Sequence, residues 1–304
     1  MPELAVIIVS WNVCHLLARC LDTLYADLAR TNLNAEVWVV DNASTDGTAE
    51  MVSARFPTVH LRANAENLWF LRGNNLALQE ILALDPPPAH IWLLNPDTEV
   101  EPGATEALLS VLRTSPDIGV SGARLLYPDG SHQQSAFRFP GLLQLAFDLF
   151  PLPARLYDTP LNGRYPYRYY QQSEPFQIDH PLGAAMMVRS AAIAQVGLLD
   201  EAFWMYCEEV DWCWRMSRAG WRAVCVPRAQ VIHHAGSSSE QVRIPSFIAL
   251  WTSRARLYAR YHGPFTRRLA RAMVRIGMRR RARTASPEMA DACSQVIQVW
   301  EEIV

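Results

Sequence analysis

Residues 4–41 read LAVIIVSWNVCHLLARCLDTLYADLARTNLNAEVWVVD, and this stretch decides the fold class. Leu4 to Ser10 is a continuous apolar run rich in β-branched residues, bounded by polar positions, which is the pattern of a buried strand. A helix-compatible stretch follows from His15 to Leu33, and Glu36 to Asp41 (EVWVVD) repeats the buried-strand pattern. The spacing predicts a β-α-β opening and an α/β chain.

Working outward, NASTDGT after Asp41 is polar and turn-forming, with Ser44 or Thr45 placed to cap a helix running through Phe56. Thr58 to Ala63 reads as a third strand, Asn74 to Leu84 as a helix, and His90 to Leu94 as a fourth strand ending in Asn95-Pro96-Asp97. Polar residues therefore collect at the carboxyl ends of consecutive strands, where open α/β sheets bind ligands. Glu101 to Thr114 suits a helix with Pro102 at its start, Ile118 to Leu126 a strand, and Pro128-Asp129-Gly130 a turn. Phe139 to Glu174 is rich in Pro, Tyr and Arg with little periodicity and is expected to be a long loop region making acceptor contacts. Order returns at Ala184 to Arg189, continues through a helix from Cys207 to Ala219 stopped by Gly220, and then a last strand from Trp221 to Val226. Pro245 to Gly277 is helical and rich in arginine.

The 304 residues, half apolar and 19% charged, exclude global disorder and suffice for one large domain with a smaller appendage. We divide them into residues 1–240 and an arginine-rich helical extension, 241–304. The six cysteines form no close CxxC pair, and no basic leader precedes an apolar run at the amino end, so a reduced, cytoplasmic protein is expected. No run of eighteen apolar residues occurs, so no segment is expected to span a bilayer. The net charge of −2 hides a segregation: every basic side chain other than histidine is arginine, and twelve of them lie between Glu240 and Glu288 with no acid among them. Such a split predicts a basic appendage that meets an anionic partner. Peripheral contact with a membrane at the inner face of the cell envelope is one expectation. Packing of the apolar stripe on the catalytic body is the other. Nucleic acid is not expected, because no recognised module accompanies the arginines.

Four constellations can carry chemistry. Asp97 follows an apolar strand, with Asn95 two residues before it, and oxygen ligands of this kind suit Mg2+ or Mn2+ on a diphosphate; a simple turn is the competing reading. Asp41 ends the second strand in the same manner and can accept the imino hydrogen of a uracil or thymine, or merely cap a turn. Ser10, Trp11 and Asn12 close the first strand on the same side, where Trp11 stacks on a base or fills the core. Glu208, Glu209 and Asp211 lie among Trp204, Tyr206, Trp212 and Trp214, surroundings that can tune a carboxylate toward base catalysis, although acids also favour a helix's first turn. His233, at an apparent strand end after Val231-Ile232, can complete a metal shell or play a structural part. A dinucleotide-dependent dehydrogenase is set aside because Ser10-Trp11-Asn12-Val13-Cys14 stands where a GxGxxG turn would be needed.

Read together, VIIVSWN, VVDNASTDGT, ENLWFLRGNN, WLLNPDT, IGVSGARLLYPDG, GAAMMVR, VGLLDEAFWMYCEEVDWCWRMSRAGW and VIHHAGSS, in that order over roughly residues 4–240, resemble the inverting glycosyltransferases of family 2 and their rhamnosyltransferase-like branch. The resemblance implies a GT-A fold, a Rossmann-like nucleotide-binding sandwich with a central mixed sheet. It also implies transfer of a sugar, such as rhamnose, from a dTDP- or UDP-sugar to a glycan or polyprenyl-linked acceptor. By the same resemblance Asp41 lies against the base, Asp97 is the carboxylate of a DxD-like metal site with Asn95 in its first position, and His233 stands near metal and phosphates. Glu209 is the general base, in the second place of a Glu-Asp pair whose first member is Glu208. Ser10, Trp11, Asn12, Asn67, Arg72, Asn75 and Gly183 join the donor-binding set. Two departures stand out: Trp69 occupies a glycine position of NxGFxxGNN, and Glu209 replaces an aspartate. The competing class is a nucleotide-sugar or glycan-binding protein of the same fold without turnover.

Overall fold

A computed structural model describes residues 2–153, 156–157, 159–235 and 243–304. The chain opens as read, with strand β1 (Leu4–Ser10), helix α1 (Cys14–Leu28) and strand β2 (Ala35–Asp41), followed by α2 (Thr48–Arg55), β3 (His60–Ala63), α3 (Trp69–Leu82) and β4 (His90–Leu94). Then come β5 (Thr98–Val100), α4 (Ala104–Thr114), β6 (Ile118–Leu126), β7 (His132–Gln133), β8 (Ala136–Phe137) and α5 (Leu142–Leu149). The remainder is β9 (Phe176–Ile178), β10 (His180–Pro181), β11 (Ala185–Arg189), α6 (Ser190–Val196), α7 (Glu208–Arg218), β12 (Arg222–His233), α8 (Arg243–Tyr261), α9 (Pro264–Ala282) and α10 (Pro287–Ile303).

The central sheet runs β3-β2-β1-β4-β11-β6-β12-β5. Strands β1 to β4 are parallel, with Ser10 opposite Asp41, whereas β11 is antiparallel to both β4 and β6, so the sheet is mixed. Strand β1 shows why its apolar run is unbroken. Ala5, Ile7 and Val9 enter one core with Leu71, Leu78 and Met186, while Leu4, Val6 and Ile8 enter the other with Leu17, Leu21 and Leu108. Both faces are covered, and alternation would leave one of them polar.

Several boundaries differ from the sequence reading for identifiable reasons. Helix α2 starts at Thr48, behind a left-handed Gly47, because Asp46 accepts from the Thr48 amide (3.2 Å); Ser44 and Thr45 do not cap it but bond to Asn12. Helix α3 begins earlier than Asn74, since the Asn67 Oδ1 accepts from the Trp69 amide at 2.8 Å. Helix α4 begins later than Glu101, where the buried Asp27 carboxylate of α1 accepts from the amides of Gly103 and Thr105. The expected last strand and the separate Val231-Ile232 end are one strand, β12, whose register shifts between Val226 and Gln230 around Pro227, a residue tolerated at a bulge.

The stretch from Phe139 to Glu174 is not a long loop throughout. It contains α5, which packs on α9 so closely that a Cβ on Gly277 would sit 2.7 Å from Leu149 Cδ2. With α8, α9 and α10 it forms a third core around Leu145, Trp251, Tyr258, Val274, Val296 and Trp300. Helix α8 ties this layer to the sheet body: Leu257 enters the first core, Ser253 Oγ donates to the Met205 carbonyl (2.8 Å), and Tyr261 stacks on Trp214. The expected boundary at 240 and the Gly236–Ser239 part of the last motif lie outside the described residues.

Candidate active site

The parallel strands β1, β2 and β4 all point their carboxyl ends at one cleft of about 310 Å3. Ser10 and Trp11 reach it from β1, Asn95 and Asp97 from β4, Asn67 and Trp69 from the start of α3, Gly183 from the approach to β11, Glu208 and Glu209 from α7, and His233 from the end of β12. Residues scattered over more than two hundred positions thus share one wall because a mixed sheet brings its switch-point loops to one edge.

Backbone strain concentrates here. Among the described residues the non-glycine positions with positive φ are Asn12, Ala43, Trp69, Tyr206, Cys207 and Ala235, and every one lies in or beside a loop feeding this edge. Conformations of this kind cost of order 1 kcal/mol or more each and persist where surrounding contacts over-determine them. Trp69 illustrates it: at φ 61° its backbone has the conformation glycine adopts freely, and it is held by Asn67 on its amide and Asn42 on its carbonyl (3.1 Å). Its ring contacts Trp204 edge-on at 5.3 Å and Trp11 at 6.3 Å, making an aromatic wall.

At one end of the cleft Asp97 is only 8% exposed, and its Oδ1 lies 3.4 Å from His233 Nε2. Gln133 Oε1 stands 2.9 Å from His233 Nδ1, which donates to it, and this contact orients the ring with Nε2 toward Asp97. Asn95 Oδ1 is buried with no partner. A carboxylate oxygen, an imidazole nitrogen and an unpartnered amide oxygen are a donor set that fits a divalent cation whose remaining ligands come from a diphosphate. Among the described residues no group of three His, Cys, Asp or Glu is clustered tightly enough to hold one alone. Ser10 Oγ and Asp41 Oδ1 are also buried and unpartnered; Asp41 Oδ2 accepts only from the Ser44 amide at 3.2 Å.

Across the cleft, the left-handed Tyr206 and Cys207 turn the chain so that α7 begins with both Glu208 and Glu209 on the cleft. The two side chains leave the helix about 100° apart, and the cleft is wide enough for both to line it. Burial pushes Glu209 up to about 7. Burial, followed by the charge of Glu209, pushes Glu208 well above the ordinary carboxylate range, and its Oε2 has no partner. A glutamate raised to about 7, beside a second one raised by burial and by that neighbour's charge, is suited to accept a proton from a substrate hydroxyl. Gly183 faces this pair; a Cβ there would lie 3.6 Å from Glu209 Cγ, so its absence leaves the approach open.

Other expected site residues are placed elsewhere. The Asp211 carboxylate is fully buried away from the cleft and accepts from Arg215 (2.8 Å), Arg260 (2.7 Å) and the Tyr261 hydroxyl (2.6 Å). Asn75 bonds the Leu199 backbone at both its amide and carbonyl. Arg72 forms an exposed ion pair with Glu201. Asn12 braces the loop before α2 through Thr45 and Ser44. None of these four lines the cleft, and neither does Asp41, which is buried behind it at the end of β2. Gln133 and Met205 matter and were not singled out from sequence; the β7–β6 pairing sets Gln133 behind His233, and Met205 enters the cleft just before the left-handed turn.

Comparison with known proteins agrees with this geometry. The profile described as "Glycosyl transferase family 2" matches residues 5–197. The N-acetylglucosaminyl-diphospho-decaprenol L-rhamnosyltransferase of Mycobacterium tuberculosis is 32% identical over 217 residues, covering 69% of each chain. Among solved structures, a mannosyltransferase from Pyrobaculum calidifontis in complex with GDP-Man and Mn2+ superposes with a TM-score of 0.59 at 13% identity, over 99% of this chain and 86% of that one. GalNAc-T7 with UDP, GalNAc and Mn2+ superposes with a TM-score of 0.61 at 12% identity, over 100% of this chain and 56% of that one. At those identities the structures establish the GT-A-like fold alone.

Proposed function

The chain belongs to glycosyl transferase family 2, and from that premise we propose that it transfers a sugar, with rhamnose the first candidate, from a dTDP- or UDP-sugar to a hydroxyl of a polyprenyl-diphosphate-linked glycan with inversion. One observation carries the reading: a single cleft sets the Asp97–His233 pair opposite Glu208 and Glu209, two acids that form no ion pair with a described residue. Asp97, His233 and Asn95 would hold a divalent cation, Mn2+ or Mg2+, which when bound neutralises charge on the leaving diphosphate. Asp41, with its free Oδ1, accepts the imino hydrogen of a pyrimidine base.

Glu209 takes the proton from the acceptor hydroxyl as its oxygen bonds to the anomeric carbon and the bond from that carbon to the diphosphate oxygen breaks. Glu208, raised well above the ordinary carboxylate range by burial and by the charge of Glu209, supports the raised proton affinity of the pair. Trp11 and Trp69, backed by Trp204, exclude water and offer apolar surface to a sugar face. No separate nucleophile is needed, which favours inversion. Residues 1–240 are the catalytic unit in this reading and 241–304 its extension, although Ser253, Leu257 and Arg260 make that extension part of α7's support.

The test is a panel of dTDP-, UDP- and GDP-sugars offered with a polyprenyl-diphosphate-linked N-acetylglucosamine acceptor, scored by released nucleoside diphosphate and by the anomer formed. Asp97→Asn is expected to lower turnover about a hundredfold or more while the melting temperature holds. Donor binding with no release under any metal would replace the enzyme by a binding protein.

A further inference from the structure

Helix α9 carries two apolar faces. One, with Ala270, Val274, Gly277 and Met278, is packed against α5 and α10. About half a turn away, Phe265, Leu269 and Ile276 are 78%, 43% and 57% exposed, and at about 100° per residue they fall on one stripe. A surface helix ordinarily turns charged and polar residues to that side. The arginines of α9 and its C-terminal cap have no acid to answer them: Arg268, Arg271, Arg275, Arg279 and Arg280, and Arg283 just past the helix, make no ion pair with any described residue, whereas Arg254 and Arg260 of α8 pair with Asp148, Asp200 and Asp211. By the same azimuths Arg268, Arg275 and Arg279 border the stripe on one side and Arg280 on the other.

We infer that the outer face of α9 is a membrane-docking surface. Phe265, Leu269 and Ile276 enter the headgroup and acyl boundary of an anionic bilayer while the flanking arginines pair with lipid phosphates. Three exposed apolar side chains on a helix already anchored by its other face, bordered by long cationic side chains able to reach outward, meet the requirements of an interfacial helix. Arginine suits the role because its planar donors match phosphate oxygens in pairs. The same charges argue against a second copy of this chain as the occupant, since a twofold contact would oppose two uncompensated arginine clusters. The inference rests on the proposed lipid-linked acceptor for its purpose, and on α9 alone for its geometry.

Flotation with vesicles of phosphatidylcholine alone, and of phosphatidylcholine mixed with an equal part of phosphatidylglycerol, tests it. The full chain is expected to float with the anionic vesicles and to be released by high salt. The triple variant Phe265→Ser, Leu269→Ser, Ile276→Ser should lose at least about tenfold in partitioning, and Arg268→Gln, Arg275→Gln, Arg279→Gln about a hundredfold on anionic vesicles. All six positions point away from the helical core, so unchanged melting is expected and separates docking from folding. Transfer to a short-chain, water-soluble acceptor should be unaltered in both variants, so loss of activity and loss of docking are read apart. Absence of the full chain from anionic vesicles, flotation of both variants like the parent, or a parental dimer that the triple serine variant dissociates would each overturn the inference.

Discussion

Glu209 and Asp211 stand two residues apart at the start of α7, the first half-buried at the cleft and the second fully buried, and they have opposite surroundings. Asp211 is met by two guanidinium groups and a phenol from α7 and α8. Glu209 and its neighbour Glu208 meet no cation, and burial raises both. The difference teaches how one helical turn serves two ends. A buried carboxylate that accepts from two guanidinium groups and a phenol is a structural bolt, while one that meets no cation among the described residues keeps its proton affinity high. The strained Tyr206-Cys207 turn is the device that assigns the residues to the two sides.

Removing the bolt should produce the largest change. Asp211→Asn leaves Arg215 and Arg260 facing a neutral amide in a part-buried site and is expected to cost about 3 kcal/mol of stability; the folded fraction should retain its turnover, as denaturant melts paired with assays at low temperature would show. A folded but inactive Asp211→Asn would erase the distinction drawn between the two acids.

The cleft side should respond in the other direction. A carboxyl whose folded value is raised from 4.5 to about 7 contributes stability below the unfolded value that is lost as pH rises through about 7. Glu209→Gln removes the need to ionise a buried group, so the variant should equal the parent near pH 4 and exceed it by about 1–3 kcal/mol at pH 8. Equal melting at both pH values would mean that Glu209 is better solvated than the cleft implies.

The smallest stability effect belongs to Trp69. Trp69→Gly relieves a left-handed tryptophan, worth about 1 kcal/mol, but forfeits ring contacts of similar size with Trp11 and Trp204, so net stability should move by no more than about 1 kcal/mol. The donor KM should rise about tenfold and selectivity among sugars should relax. Unchanged kinetics would take the aromatic wall out of substrate selection.

Legibility in the sequence followed the same divide between local and distant causes. Strands β1, β4 and β6 were read to the residue, because strands covered on both faces leave unbroken apolar runs. The cleft residues Asp97, His233 and Glu209 were readable because each ends a strand or opens a helix beside such a run. Helix α5 was not, since its eight residues show too few turns for periodicity and its packing partner, α9, lies more than a hundred positions away. Asp211 looked like a third catalytic acid because Arg260 and Tyr261, which occupy it, are 49 and 50 residues distant. The Gln133 contact that orients His233 spans 100 residues and leaves no local trace.

The central claim is that Glu209, the α7 acid on the cleft that burial raises to about 7, is the base for transfer. Its most direct test is the single-turnover rate of Glu209→Gln beside the parent across pH, with donor binding measured separately. The account predicts unchanged donor affinity, transfer slower by about a hundredfold or more, and a parental profile that loses activity as pH falls below about 7, where Glu209 takes up its proton. Parental-rate transfer by Glu209→Gln, with the acid limb of the profile intact, would contradict it.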